Sequence, residues 1–373
     1  MLHLVNDLLE SEFVMTRFKK LAIIDNIILF PEHLKALGEL AESIKWRLTS
    51  DRKKPLQISP QVYFDGPACS LEIGYSKPTP DELKEFVKGV DGILTCWTSI
   101  PNEIIDSNPQ LEYVGFWTNL YAHRINENHA RERGIHIDYI PDYGTDAVAE
   151  FVFAGIMELA RKTQRRYVET KRGEWMYENL KTGSKVIVEP SQIEEWILRG
   201  KKLGVVGLGR IGRRVAEIGK FGFKMDVAYY SRTQRVDAES LGMRYMPLEE
   251  LFSWADIVSC HLSPDAPEKM ISKDLLERLH PQALFVNTGS GHSVDQQALI
   301  ALIQRKRFSA FLDVYEGLPP RKELRDLPNA FFTYRAAWFT QQSIAFKADQ
   351  LIAKMKAFLV GKDKVALRSA SIA

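Results

Sequence analysis

The sequence predicts an α/β protein of two domains, each built on a parallel sheet, and three observations carry that expectation. The chain has 373 residues, more than one core usually holds, so it divides. Short apolar runs alternate with longer helical patterns, the signature of βαβ units. That alternation occurs twice, and between the two series lies the turn Pro141-Asp-Tyr-Gly144 followed by a long amphipathic pattern.

In the first series Leu21–Ile24 reads as a buried strand and Pro31–Ser43 as a helix, with Gly92–Thr95, Tyr113-Val114 and Ile135–Ile137 as further strands. After the turn, Val148, Phe151, Val152, Ile156 and Leu159 recur at helical spacing, with Thr145 as the expected N-cap. The far end of this helix carries Arg161, Lys162, Arg165 and Arg166. That run reads either as a phosphate-binding stripe or as a solvated helix terminus, and the helix dipole favours the second. The later strands are Leu203–Val206, Val227–Tyr229, Ile257-Val258, Ala283–Val286 and Ser309–Leu312. A closing amphipathic helix carries Ile344, Ala348, Leu351, Ile352, Met355 and Leu359, while residues 176–199 read as an inserted surface loop.

Composition narrows the function. Apolar residues at 45% and charged residues at 26% exclude a disordered chain. A net charge of +2 asks for neither nucleic acid nor an acidic membrane. Cys69, Cys96 and Cys260 lie far apart without a CxxC or Cys/His cluster. No disulfide framework and no metal site is therefore expected, and the thiols suit a reducing cytoplasm. No apolar run is long enough to span a bilayer. Met1–Thr16 lacks the basic start of a signal peptide, and Met15 offers an alternative start.

Gly207-Leu208-Gly209-Arg210-Ile211-Gly212 is a GxGxxG segment with an apolar strand before it and a helical pattern after it. Glycines at this spacing allow a tight turn, close approach of backbone to a pyrophosphate, and close helix–strand packing. The helix N-terminus supplies free N–H groups to the phosphates. About 20 residues on, an NAD site usually places a carboxylate for the ribose 2′-hydroxyl. Ser231 stands there instead, followed by Arg232 and Thr233. A hydroxyl and a guanidinium accept a 2′-phosphate that a carboxylate would repel, so NADP(H) is expected over NAD(H). NAD(H) remains compatible if Arg232 only stacks on the adenine.

Several ordered segments together resemble the D-isomer-specific 2-hydroxyacid dehydrogenase family: Tyr143–Glu150, Arg199–Gly212, Ala255–His261, Phe285–Thr288 and Leu312–Glu316. The likeness runs from about residue 20 to 362. It implies two flavodoxin- or Rossmann-like domains, a substrate-binding one from 1–142 and 338–373 and a dinucleotide-binding one from 143–337. Helices near 146–162 and 341–359 would form the hinge, and the protein would be a homodimer. By the same resemblance Asp313 would lie near the nicotinamide amide, Asn287 and Thr288 would line the cofactor cleft, and His261 would position it.

The resemblance also implies three catalytic side chains, and this chain replaces all of them. Ser290 stands where an arginine would grip the substrate carboxylate, Leu318 where an acidic partner would stand, and Arg335 where a histidine would exchange the proton. Arginine stays protonated near neutrality and cannot take the histidine's part. If Arg335 is buried it needs an anion, either a substrate group or a neighbouring carboxylate. Tyr121 and His123, in the loop that the resemblance places at the substrate, are candidate acids; so are His292 and Tyr334. The expected function is an NADPH-dependent reductase of a carbonyl or imine, with a small and anionic substrate. The alternatives are a non-catalytic dinucleotide-binding sensor or scaffold, and an ordinary D-2-hydroxyacid dehydrogenase with displaced catalytic groups.

Overall fold

The computed structural model describes residues 16–49, 68–74, 77–175, 178–179, 181–185, 194–317, 322–325, 327 and 329–370. The alternative start at Met15 and the replaced position Leu318 lie outside these residues. The chain divides into two compact units, one of Met1–Tyr143 with Gln341–Ala373, the other of Gly144–Thr340.

The first unit holds β1 (Leu21–Ile24), β2 (Ser43–Thr49), β3 (Ala68–Gly74), β4 (Gly92–Thr95), β5 (Tyr113–Phe116) and β6 (His136–Tyr139). They form one parallel sheet in the order β3-β2-β1-β4-β5-β6. With the edge strand β3 set aside, this is the flavodoxin-like order. Period-two alternation sends Leu21 and Ile23 to one core layer and Ala22 and Ile24 to the other, so a strand buried on both faces reads as a continuous apolar run. The helix from Pro31 ends at Leu40 rather than at Ser43, which opens β2.

After the short hairpin β7 (Glu174–Trp175) and β8 (Glu178–Asn179) comes the second unit's main sheet. Its strands are β9 (Lys202–Val206), β10 (Asp226–Tyr230), β11 (Arg244–Tyr245), β12 (Ile257–Cys260), β13 (Leu284–Asn287), β14 (Ser309–Leu312) and β15 (Ala330–Phe332). The order β11-β10-β9-β12-β13-β14-β15, all parallel, is the Rossmann order with β15 added at one edge.

The helix after the turn spans Thr145–Arg161, with Gly144 rather than Thr145 at its N-cap. It stops where Lys162 turns left-handed at φ 51°, and a second helix, Thr163–Arg172, follows. Arg161 stands exposed in the last turn, as a solvated helix terminus requires, whereas the other three basic side chains are paired with acidic ones. Arg165 and Arg166 each bond Glu169 at 2.8 Å, Arg166 also bonds Glu195 at 2.8 Å, and Lys162 pairs with Glu194. Among the described residues no helix is long and apolar enough to cross a membrane.

Candidate active site

The turn after β9 gives each glycine its own task. Gly207 has φ 91°, a left-handed conformation that favours glycine. A Cβ there would come within 2.8 Å of the His261 carbonyl oxygen. Gly209 caps the helix Arg210–Glu217, and a Cβ on it would meet nothing within 4 Å. The helix N-terminus can therefore be approached closely by a ligand. At Gly212 a Cβ would lie 2.0 Å from the Gly207 carbonyl oxygen, so only glycine lets the helix rest on the turn. Arg210 and Ile211 open the helix, with Ile211 packed against the core. Gly212→Ala is expected to lower the melting temperature, since such overpacking costs about 1–3 kcal/mol. It should also raise the Kd for NADPH by on the order of tenfold or more. An unchanged Kd in isothermal titration would show that the turn holds no dinucleotide.

A cavity of about 580 Å3 flanks the point where the strand order reverses between β9 and β12, the usual ligand position in such sheets. Gly207, Gly209, Ser231, Arg232, Thr233 and His261 all line it. The Ser231 hydroxyl donates to the Thr233 carbonyl oxygen at 2.5 Å. Arg235 lines the same cavity and is exposed, as is Arg232. No carboxylate stands at the end of β10 itself, but Asp265 is on the cavity wall. The Ser263 hydroxyl and, further off, the Arg232 guanidinium hold the Asp265 carboxyl below the usual range. Open glycine backbone, helix N-terminus and paired arginines fit a dinucleotide. Gly207 and Gly209 would hold its pyrophosphate, and Ser231 to Thr233 its adenosine ribose.

The inner wall is fixed by a histidine that does not titrate near neutrality. His261 has Nε2 2.8 Å from the Ser259 hydroxyl and Nδ1 3.1 Å from the Thr288 hydroxyl. Burial pushes its pKa down to about 3. With both nitrogens engaged, the ring ties β12 to the turn after β13; Thr288 and Asn287 stand behind His261 and do not themselves line the cavity. Asn287 donates to the Ser290 carbonyl oxygen at 2.9 Å and accepts from the Gly289 amide at 3.1 Å, closing the turn that follows β13.

Ser290 is buried, 6% exposed, and bonded to His292. His292 Nε2 must donate to the Ala266 carbonyl oxygen at 2.8 Å, so its Nδ1 accepts the Ser290 proton at 2.8 Å. The position expected to carry an arginine thus carries a hydroxyl turned into the protein, and His292 is a brace for the cavity wall.

Asp313 does not line the large cavity; it shares a smaller one of about 160 Å3 with Tyr315, Tyr334 and Arg335. Its carboxylate is buried and accepts from the Thr333 hydroxyl at 2.6 Å and the Ala336 and Ala337 amides at 2.8 and 3.3 Å. Its carbonyl oxygen takes the Arg335 amide at 2.9 Å. Asp313 therefore holds the turn that carries Arg335, which adopts φ 44°. Arg335 itself is exposed, so the condition of burial is not met: water can solvate the guanidinium, and no anion is demanded of its surroundings. Tyr334 is 59% exposed.

Tyr121 and His123 belong to the first unit and Arg335 to the second. Tyr121 stacks on Tyr139 at 4.4 Å and tilts against Phe116 at 5.5 Å. Burial and then Glu127 raise its phenol pKa, so it is a packing residue and a poor acid at neutral pH. His123 is exposed. Three residues went unnoticed in the sequence: Arg235, and in the first unit Asp25 and Lys347. Arg235 had a signal, a second arginine three residues beyond Arg232.

The family described as "D-isomer specific 2-hydroxyacid dehydrogenase, NAD binding domain" matches residues 153–336. A glyoxylate reductase of Korarchaeum cryptofilum is 32% identical over 291 residues, 76% of this chain and 84% of that protein. One from Aeropyrum pernix is 33% identical over 294 residues, 77% and 85% of the two chains. The solved structure of an acyclic imino acid reductase with NADPH and D-Arg shares the fold at TM-score 0.68 and 24% identity, over 92% of this chain and 98% of that one. On this extent and identity, the chain belongs to the D-isomer-specific 2-hydroxyacid dehydrogenase family of nicotinamide-dependent oxidoreductases, and is an enzyme rather than a non-catalytic dinucleotide binder.

Proposed function

We propose that this enzyme is an NADPH-preferring reductase of a small, anionic carbonyl or imine substrate, with an active site rebuilt from the family's pattern. The observation that carries the cofactor preference is the end of β10. Ser231, Arg232 and Thr233 stand there, with Arg235 on the same cavity wall and no carboxylate at the strand end. Guanidinium groups pair with a 2′-phosphate and have no equivalent partner in NADH. The nicotinamide, when bound, supplies hydride; the chain's residues bind, orient and protonate.

The substrate's anionic group falls to Arg335, because Ser290 is turned to His292 and the Arg335 turn is held by Asp313. Nothing in these side chains selects oxygen over nitrogen, so imines stand beside 2-oxo acids as substrates. In this reading the protein works as a cytoplasmic homodimer on small molecules, not on nucleic acid or membrane.

The test is NADPH oxidation against a panel of 2-oxo acids, glyoxylate included, and of imines formed from them with amines. NADPH and NADH binding are titrated in the same samples. Equal dissociation constants would end the cofactor preference. Arg335→Ala is expected to raise KM for an anionic substrate by on the order of tenfold or more while the Kd for NADPH stays put. An unchanged KM would remove Arg335 from the site.

A further inference from the structure

The cavity beside β9 and β12 carries charges of both signs. Arg232 and Arg235 follow β10, and Asp265 stands in the loop after β12. All three are exposed, and Asp265 is the sole carboxylate among the described residues that line the cavity. Neither arginine forms an ion pair among the described residues, whereas Arg213, Arg214 and Arg244 of the same unit are paired with Asp237, Asp146 and Asp226. Asp265 is held in place. Its carboxylate accepts from the Ser263 hydroxyl, and the Ala266 amide donates to the Ser263 carbonyl oxygen at 3.0 Å, closing a turn around it. Behind that turn the Lys269 amide donates to the His292 carbonyl oxygen at 2.9 Å, and the Ile271 amide to that of Ser293 at 2.9 Å.

The bond from Ser263, with the Arg232 guanidinium adding its field from beyond contact distance, keeps Asp265 ionised at neutral pH. The cavity therefore sets two guanidinium groups against one fixed carboxylate. A phosphomonoester carries about −1.5 to −2 charge at pH 7. Two guanidinium groups match that charge, and the Asp265 carboxylate cancels one of them. An unphosphorylated ribose brings only hydroxyl groups to the same wall. For their protons a carboxylate is a charge-assisted acceptor, whereas a guanidinium has no acceptor to offer. The arginines and Asp265 thus pull the choice of dinucleotide in opposite directions.

Resting on the cofactor reading above, we propose that Asp265 is a specificity-determining residue that opposes Arg232 and Arg235. It repels the 2′-phosphate of NADPH and accepts from the ribose hydroxyls of NADH. The lead of NADPH is held down, and the enzyme keeps a working affinity for both cofactors. Asp265 does this from a wall that the end of β10 does not form, so the preference is set by two segments about 30 residues apart in the chain. Being exposed, the carboxylate acts by charge and not by packing.

The test titrates NADPH and NADH into wild type, Asp265→Asn and Asp265→Glu by isothermal calorimetry, at low and at high salt. Asparagine keeps an acceptor for the Ser263 hydroxyl and removes the charge, and at an exposed position it should barely move the melting temperature. It is expected to lower the Kd for NADPH by on the order of tenfold and to raise that for NADH by on the order of threefold. Glutamate keeps the charge and should hold the wild-type ratio to within about threefold. Salt screens exposed charges, so the gap between wild type and Asp265→Asn for NADPH should shrink from about 0.05 to 0.5 M salt, which a change of shape alone would not do. If Asp265→Asn leaves both constants unchanged, shifts them by one factor or weakens NADPH, the assignment is overturned while the NADPH preference stands. If the wild type binds both cofactors equally and Asp265→Asn prefers NADPH, the preference falls and the assignment stands. If the wild type binds neither, the dinucleotide reading falls and takes the assignment with it.

Discussion

Replacing Asp25 by asparagine is expected to cost about 3–5 kcal/mol of unfolding free energy at pH 7, measured by urea denaturation. This carboxylate is 7% exposed and accepts from the Thr95 hydroxyl at 2.9 Å, the Thr98 hydroxyl at 2.6 Å and three consecutive backbone amides. Asparagine tolerates the left-handed backbone found there, φ 74°, so the substitution isolates the carboxylate. Its NH2 group would face donors, leaving two or more buried N–H or O–H groups without an acceptor. Against a typical domain stability of about 5–15 kcal/mol this is a large fraction.

The loss also has a pH signature. Burial alone would raise the Asp25 pKa, but the Thr98 hydroxyl and the amides of Thr98, Trp97 and Cys96 outweigh it and hold the group below the usual carboxylate value. A folded pKa below the unfolded one means stabilisation that is complete above the unfolded pKa and lost as pH falls through the folded one. The gap between wild type and Asp25→Asn should therefore be flat from about pH 5 to 8 and close only below about pH 4. A gap that closes toward alkaline pH, or a loss under about 1 kcal/mol, would show that the loop does not depend on this charge.

Ser231→Asp is expected to reverse the cofactor preference, moving the ratio of NADPH to NADH dissociation constants by on the order of a hundredfold. The new carboxylate would repel the 2′-phosphate that Arg232 and Arg235 attract, and would give the unphosphorylated ribose a hydrogen-bond acceptor. Isothermal titration of both cofactors reads the ratio directly. If the ratio is unmoved, the adenosine ribose does not lie beside Ser231.

The Rossmann half was legible because its chemistry is local: strand, glycine turn and helix fall within 16 residues from Lys202 to Glu217. The end of β10 was legible for the same reason. β2 was missed although Ile44, Trp46 and Leu48 alternate with Lys45 and Arg47 at the period of a strand; what only the fold reveals is that Arg47 is buried and paired with Glu72 and Glu82. The surroundings of Lys347 lay further from reach. Lys347 meets Trp117 and Tyr143 across some 200 residues of chain, and no spacing within a helix announces such a meeting. Arg335 shows the opposite failure. Its identity was informative, but its exposure depended on a turn that Asp313 ties down from 22 positions away.

That turn has a kinetic consequence. With Thr333, Arg335, Ala336 and Ala337 all bonded to Asp313, the backbone beneath the guanidinium is already ordered. Only the side-chain torsions of Arg335 remain to be frozen when an anion arrives, an entropy of about 2 kcal/mol. Capture there needs no loop to fold first, so charge steering rather than conformational gating would set the association rate, and that rate would fall steeply as salt is added.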